Sequence, residues 1–131
     1  MNDLVRRLCE GDHPIEVSLR PNKTVEALKE WIDRKYVHIR FTDTKGGTEL
    51  GFALDPEATD IGQGDFDKGS GSVRLVGRLT LDYVKVRCIA NIELETLSGR
   101  GHLESGGGDF FNLKIFKIPE FRIYVGNYML T

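Results

Sequence analysis

The sequence predicts an α+β fold in which a curved, mostly antiparallel sheet or partial barrel packs on one main helix. Three observations lead to this class. Apolar and polar residues alternate with period 2 in several separate runs, which is typical of half-buried strands. These runs follow one another over short connections, which favours antiparallel pairing. Only residues 24–36 carry the apolar spacing of a long helix.

The N-terminal part of the chain predicts a short helix, a strand and then the main helix. Residues 3–10 carry leucine and valine on one side and charges on the other, as a short amphipathic helix does. The alternation of residues 15–20 predicts a strand, and Pro21 ends it. The main helix follows at about residues 24–36. We expect Trp31, on the apolar side of this helix, to pack the helix onto the sheet.

Strands dominate the rest of the chain. Residues 37–42 and 49–54 alternate on either side of a short glycine-containing loop, which predicts a hairpin. Residues 55–72 are rich in acidic residues and glycine, so we predict a long surface loop there. Apolar-rich runs at residues 111–118 and 121–125 predict two further strands near the C-terminus.

The longest alternating stretch, from Val73 to Leu97, changes parity once. Its apolar residues occupy odd-numbered positions up to Tyr83 and even-numbered positions from Val84 onward. A one-residue phase shift turns every later side chain to the opposite face, so a bulge, a sharp bend or a turn must lie here. Because the sequence lacks the glycine of common two-residue hairpins at this point, we favour a bulged, strongly curved strand. Tyr83 and Val84 should then both be shielded from solvent.

Composition limits the classes of partner. The chain of 131 residues fits a single domain, residues 1–131, and its formal charge is −2. This charge gives no overall field toward nucleic acid or an anionic membrane, so we expect neither as a partner. The first residues lack the apolar region of a secretion signal, which predicts a soluble cytoplasmic protein. Cys9 and Cys88 then need no disulfide, and Cys88 is predicted to be a core residue.

Metal and cofactor motifs are incomplete in this sequence. His102 and Glu104 should share one strand face, and Cys9, Asp12 and His13 cluster near the end of the first helix. The familiar zinc-ligand spacings are absent from both groups.

Two other glycine-containing patterns also fall short of a binding motif. Residues 65–69 begin like a calcium loop but lack its closing glutamate. The glycine-rich residues 99–101 and 106–108 precede no helix that would hold a phosphate. We therefore expect neither a metal nor a cofactor.

Basic residues form the most distinct polar feature of the predicted strands. Arg74, Arg78, Lys85 and Arg87 lie on polar faces, and curvature of the sheet would bring them into one patch. Such a patch suits an anionic ligand or an acidic partner, although a merely solvated sheet face is the alternative interpretation. These four residues and Trp31 are the candidate ligand- or partner-binding residues. The interleaved aromatics that stack on nucleobases are missing from this row.

Two functions remain open from the sequence. The first is a small non-enzymatic binding or interaction protein that holds a partner chain or a small apolar ligand on its curved sheet. An exposed sheet edge would also allow a homodimer. The second is an enzyme with its active site inside a half-barrel, with His38 or His102 as general base. A small-molecule site would require a cavity on the order of several hundred Å³, which we would look for beside the Trp31 helix.

Overall fold

The computed structural model describes residues 3–105. In chain order the elements are α1 (Asp3–Cys9), β1 (His13–Val17), α2 (Val25–Asp33), β2 (Tyr36–Phe41), β3 (Thr48–Leu54), β4 (Gly64–Asp65), β5 (Ser70–Leu81), β6 (Val84–Glu93) and β7 (Ser98–Glu104). The strands predicted at residues 111–118 and 121–125 lie outside the described residues. No helix in the described part of the chain is long and apolar enough to cross a membrane.

Six of these strands close into an antiparallel β-barrel. Their order around the ring is β3-β2-β1-β7-β6-β5, and β5 returns to pair with β3. All pairs in the ring are antiparallel, which confirms the predicted strand direction. The predicted α+β architecture, a sheet or partial barrel packed on one main helix, is wrong. The sheet closes on itself and buries its apolar face in its own interior, and the two helices are small additions to it.

The alternation along each strand explains why the barrel closes. In β2 the side chains of Val37, Ile39 and Phe41 are fully buried, while those of His38 and Arg40 between them face outward. The inner side chains of the six barrel strands belong to one apolar cluster. The helices contribute four buried side chains to the same cluster: Val5, Leu8, Leu28 and Ile32. Cys88 lies in this core, as predicted.

The parity change at Tyr83 and Val84 is a two-residue hairpin turn. Leu81 pairs directly with Val84, and the two turn residues, Asp82 and Tyr83, have φ values of 49° and 67°. Positive φ at both central residues is the backbone of the hairpin turns whose twist matches that of the strands they join. The favoured bulge is therefore wrong, and Tyr83 is 100% exposed instead of shielded. The turn reverses the chain, so both parities bury their apolar residues in the same core.

The helix α2 is shorter than the predicted span of residues 24–36. The Thr24 hydroxyl caps its start by accepting a hydrogen bond from a backbone N–H at 3.1 Å. Lys35 stops it, because its backbone has a φ of 65° and its N–H donates to the Ile32 carbonyl at 2.9 Å. The apolar face of α2 buries Leu28 and Ile32 and lies beside β2.

The residues predicted as a long surface loop are largely hydrogen-bonded to β5. We call residues 55–65 the closing segment. Asp60 and Arg74 exchange two backbone hydrogen bonds of 2.8 Å, and β4 continues the pairing with β5. Beyond Arg74, on the side away from β4, Thr59 Oγ1 donates to the Val76 carbonyl and accepts from the Val76 N–H, both at 3.1 Å. The closing segment therefore extends the sheet beyond β5 at Val76, whose outward-facing side chain is fully buried.

Candidate functional site at the barrel closure

The barrel closes through its shortest ladder. β3 and β5 share two residue pairs, Ala53 with Arg78 and Leu54 with Gly77. The other five ladders of the ring hold three to ten pairs. Gly77 makes this approach possible, because a Cβ there would collide with the Ala53 carbonyl and the Phe52 ring. The contact that closes the barrel is therefore both short and dependent on one glycine.

Beyond this ladder the two strands diverge and leave an opening at one end of the barrel. Within residues 3–105, residues 48–52 of β3 pair with β2 alone, and residues 79–81 of β5 pair with β6 alone. We call these two facing stretches the open edge. A short ladder followed by two unpaired strand edges is a place where another strand can add to the sheet.

Backbone alternation identifies the groups that point into the opening. On β5 the hydrogen bonds of Arg74 and Val76 run away from β6 to the closing segment. In an antiparallel ladder successive residues alternate in direction, so the N–H and C=O of Thr80 also point away from β6, into the opening. On β3 the N–H of Leu54 donates to the β2 side at 2.9 Å. The backbone groups of Gly51 consequently face β5.

Apolar side chains line the inner side of the open edge. Leu79, Leu81 and Val84 are partly buried against the core. Phe52 lies beneath them on β3 and is 1% exposed. Tyr83, at the tip of the β5–β6 hairpin, is exposed completely. The opening thus has an apolar floor and an aromatic side chain at its rim.

The four predicted basic residues lie on the outer face of the β5–β6 hairpin. Arg78 is directly opposite Arg87, and Lys85 lies two residues before Arg87 on the same face of β6. We call these three residues, which lie beside the open edge, the basic ridge. Arg74 lies apart from them, against the closing segment. Glu104 on β7 is the other cross-strand neighbour of Arg87 and offsets part of the positive charge.

Trp31 does not join the basic residues but belongs to an aromatic cluster on the β3 side of the opening. Its half-buried ring meets that of His38 edge-on, with centroids 5.4 Å apart, and the Tyr36 ring meets His38 at 5.2 Å. A Cβ on Gly51 would lie 2.6 Å from the His38 ring and 2.8 Å from the Tyr36 hydroxyl oxygen. These side chains therefore cover the outer face of β3 beside the open edge. Of this cluster, the sequence predicted Trp31 as a candidate binding residue and His38 as a candidate general base, but not Tyr36.

A second polar cluster joins residues that the sequence placed in two separate groups. The His102 ring bridges two carboxylates, with Nδ1 3.0 Å from Asp12 Oδ1 and Nε2 3.2 Å from Glu104 Oε2. A cavity of about 350 Å³ opens beside them and is also lined by Cys9 and Gly11. Burial raises the pKa of the Cys9 thiol, and the Glu104 carboxylate raises it further. This neutral thiol lacks the environment of a nucleophilic cysteine.

The geometry of this cluster does not suit a metal ion. Asp12 and Glu104 contact opposite nitrogens of the His102 ring, so the three side chains cannot converge on one point. Among residues 3–105, no group of three or more histidine, cysteine or carboxylate side chains is arranged to hold a metal.

His13, the remaining member of the predicted cluster, holds α1 to the barrel. Its Nδ1 lies 2.9 Å from Asp43 Oδ2, and its Nε2 lies 2.9 Å from the carbonyls of Arg7 and Glu10 at the end of α1. The hydrogen bond to His13 lowers the pKa of the Asp43 carboxyl group. His13 therefore links β1 to the end of α1 and to Asp43 after β2, and it is buried.

The two histidines considered as general bases lie on the outside of the barrel. His38 is on the outer face of β2 among aromatic rings, and His102 is held between carboxylates on β7. The interior of the closed barrel is filled by the apolar cluster. Neither histidine therefore faces an internal site of the kind expected for an enzyme built in a half-barrel.

Two cavities flank the closing contact and share Leu54 and Pro56. The larger, of about 370 Å³, is lined in addition by Ala53, Asp55, Glu57 and Arg78. The smaller, of about 190 Å³, is lined in addition by Ile32, Lys35, Thr59 and Ile61. The smaller cavity lies beside α2, where a small-molecule site was expected. Another cavity beside α2, of about 280 Å³, is lined by Val25, Glu26, Lys29, Phe66 and Asp67.

Comparison with protein-family models and with curated proteins finds no match to this chain. The assignment of a site therefore depends on the geometry of the barrel.

Proposed function

We propose that this protein is a non-enzymatic interaction domain that binds an extended segment of a partner protein at the open edge. The observation that carries this proposal is the two-pair ladder between β3 and β5, beyond which both strand edges are unpaired within residues 3–105. An added strand would hydrogen-bond to the backbone groups of Gly51 on β3 and of Thr80 on β5, which point into the opening. Main-chain hydrogen bonds would hold it, as in other strand-addition complexes.

The surroundings of the open edge favour a segment with alternating side chains. Side chains on its inner face would contact the partly buried Leu79, Leu81 and Val84, so they should be apolar. Side chains on its outer face would lie near the basic ridge and should be acidic. Tyr83 would contribute an exposed aromatic group of the type that often dominates binding energy at interfaces.

The same charges disfavour a second copy of this chain as the occupant. Pairing two open edges would bring two basic ridges together, and juxtaposed like charges are unfavourable. An acidic segment would instead place opposite charge beside the basic ridge, in which Arg78 and Arg87 lie directly opposite each other. The proposed partner is therefore a different chain with an acidic, extended segment.

The proposal is tested by selecting binding peptides from a random displayed library. The selected peptides should alternate apolar and acidic residues, and labelled copies should bind the wild-type protein saturably. The variant Thr80→Pro removes an N–H that is not bonded to β6, and it should abolish binding. Thr80→Val keeps the N–H and a similar shape, so it serves as the matched control and should bind normally.

Two outcomes would contradict this function. The first is equal binding of the selected peptides to Thr80→Pro and Thr80→Val. The second is a peptide-induced change in backbone amide signals far from β3 and β5. Sedimentation equilibrium provides the remaining comparison, because a concentration-dependent dimer that Thr80→Pro dissociates would identify a second copy as the occupant instead.

A further inference from the structure

The smaller cavity beside α2 has the size and lining of a site for one compact apolar group. Its volume is about 190 Å³, and its apolar lining consists of Ile32, Leu54, Pro56 and Ile61. An apolar cavity of roughly 150 Å³ accepts a benzene ring. A single aromatic ring or branched alkyl group would therefore fill most of this space.

The polar lining of the cavity leaves one group available to a ligand. The Thr59 hydroxyl already donates to and accepts from the Val76 backbone. The other polar residue is Lys35, which lies just beyond the end of α2, where the helix dipole favours a cation. Within residues 3–105 its ammonium group forms no ion pair with a carboxylate.

The backbone fixes the position from which the Lys35 side chain extends. Its N–H donates to the Ile32 carbonyl and its own carbonyl accepts from the Leu54 N–H, both at 2.9 Å. Ile32 and Leu54 are themselves lining residues, so the backbone from which the Lys35 side chain extends is held at the rim of the apolar space.

We propose that this cavity binds a small aromatic or branched-chain carboxylate. The apolar group lies between Ile32 and Ile61, and the carboxylate pairs with the Lys35 ammonium. Recognition thus combines burial of one ring or branch with one charge-assisted hydrogen bond. This site is separate from the open edge and does not depend on the proposed partner segment.

Nuclear magnetic resonance titration with benzoate and 3-methylbutanoate tests the proposal. Both should shift the backbone amide signals of Ile32, Leu54 and Ile61 saturably. Benzyl alcohol, which has the ring without the charge, should bind several-fold more weakly than benzoate. Lys35→Met should weaken benzoate binding by roughly three- to fivefold, as expected for a partly exposed ion pair. Lys45→Met, in the β2–β3 connection, is the matched control and should change nothing.

The results that would overturn the proposal are equally specific. One is the absence of saturable shifts at the lining residues. Another is equal binding of benzoate and benzyl alcohol to wild type and to Lys35→Met, which would indicate an apolar cavity with no recognition of charge. Ile61→Ser tests the apolar part, since Ile61 is partly exposed and its replacement leaves the core intact. It should weaken benzoate and benzyl alcohol alike, and unchanged binding of both would contradict the assignment.

Discussion

The hydroxyl group of Thr59 takes the place of a main-chain partner for Val76. It donates to the Val76 carbonyl and accepts from the Val76 N–H, each at 3.1 Å, along the edge of β5 that faces away from β6. The Asp55 N–H also donates to the same carbonyl at 2.7 Å. The Thr59 side chain thus satisfies the Val76 N–H at a position where the closing segment offers no backbone acceptor in a regular ladder.

The variant Thr59→Val tests this relationship. It leaves the Val76 N–H buried without an acceptor, which should lower the free energy of unfolding by ~1–3 kcal/mol. Thr59→Ser keeps the hydroxyl and should lose much less. Urea unfolding followed by circular dichroism measures both variants. A larger loss for Thr59→Ser than for Thr59→Val would show that the methyl group, and not the hydroxyl, holds the closing segment.

The packing of α2 predicts unequal costs of truncating two of its apolar residues, Leu28 and Trp31. Leu28 is fully buried, so Leu28→Ala should lower the free energy of unfolding by ~2–5 kcal/mol. Trp31 is half-buried and meets His38 only edge-on, so Trp31→Ala should cost about 1–2 kcal/mol. Lys29→Ala on the exposed side is the control, with an expected change within about 0.5 kcal/mol. The reverse order of costs for Leu28 and Trp31 would contradict the placement of α2.

The pair of Asp43 and His13 predicts a pH dependence of stability. The hydrogen bond to His13 holds the pKa of Asp43 below its ordinary value of 3.8. The ionised carboxylate therefore stabilises the folded state above that value, and this contribution is lost as the pH falls through the lower, folded-state pKa.

Unfolding in urea at a series of acidic pH values checks this expectation. The wild-type free energy of unfolding should fall more steeply on acidification than that of Asp43→Asn. His13→Gln, which removes the same bond, should flatten the profile in the same range. Parallel profiles for wild type and Asp43→Asn would be inconsistent with the bond.

The turn residue Tyr83 should lower the stability of the fold and strengthen the binding of the partner segment. Its φ of 67° lies in the left-handed region, which is unfavourable for a residue with a Cβ. Tyr83→Gly should therefore raise the free energy of unfolding by ~1 kcal/mol. The same variant should weaken the binding of selected acidic peptides, because the exposed ring at the rim of the opening is lost. A more stable variant with unchanged peptide affinity would exclude Tyr83 from the interface.

Local sequence patterns predicted the strands but not their closure. The period-2 pattern of β2 identified Val37 and Ile39 as inward-facing, and both are buried. The contact that closes the barrel involves two residue pairs and depends on the missing side chain of Gly77. Neither feature has a periodic signature. The Asp82–Tyr83 turn was missed because its positive φ values fall on residues other than glycine.

The candidate site shows the same division between local and long-range information. Strand parity placed Arg78 and Arg87 on a polar face, and both lie on the outer face of the hairpin. Parity contained no information on the opening beside them, which depends on where β3 and β5 stop pairing. The contact between Asp12 and His102 joins residues 90 positions apart, so no local spacing could reveal it.

Hydrogen exchange at the Thr80 amide tests the open edge most directly. Its N–H should point into the opening, whereas that of the adjacent Leu79 bonds to β6. In the free protein we predict rapid exchange at Thr80 and strong protection at Leu79. Addition of a selected acidic peptide should slow the exchange of Thr80 and leave that of Leu79 unchanged. Strong protection of Thr80 in the free protein, or no change with peptide, would contradict strand addition at this edge.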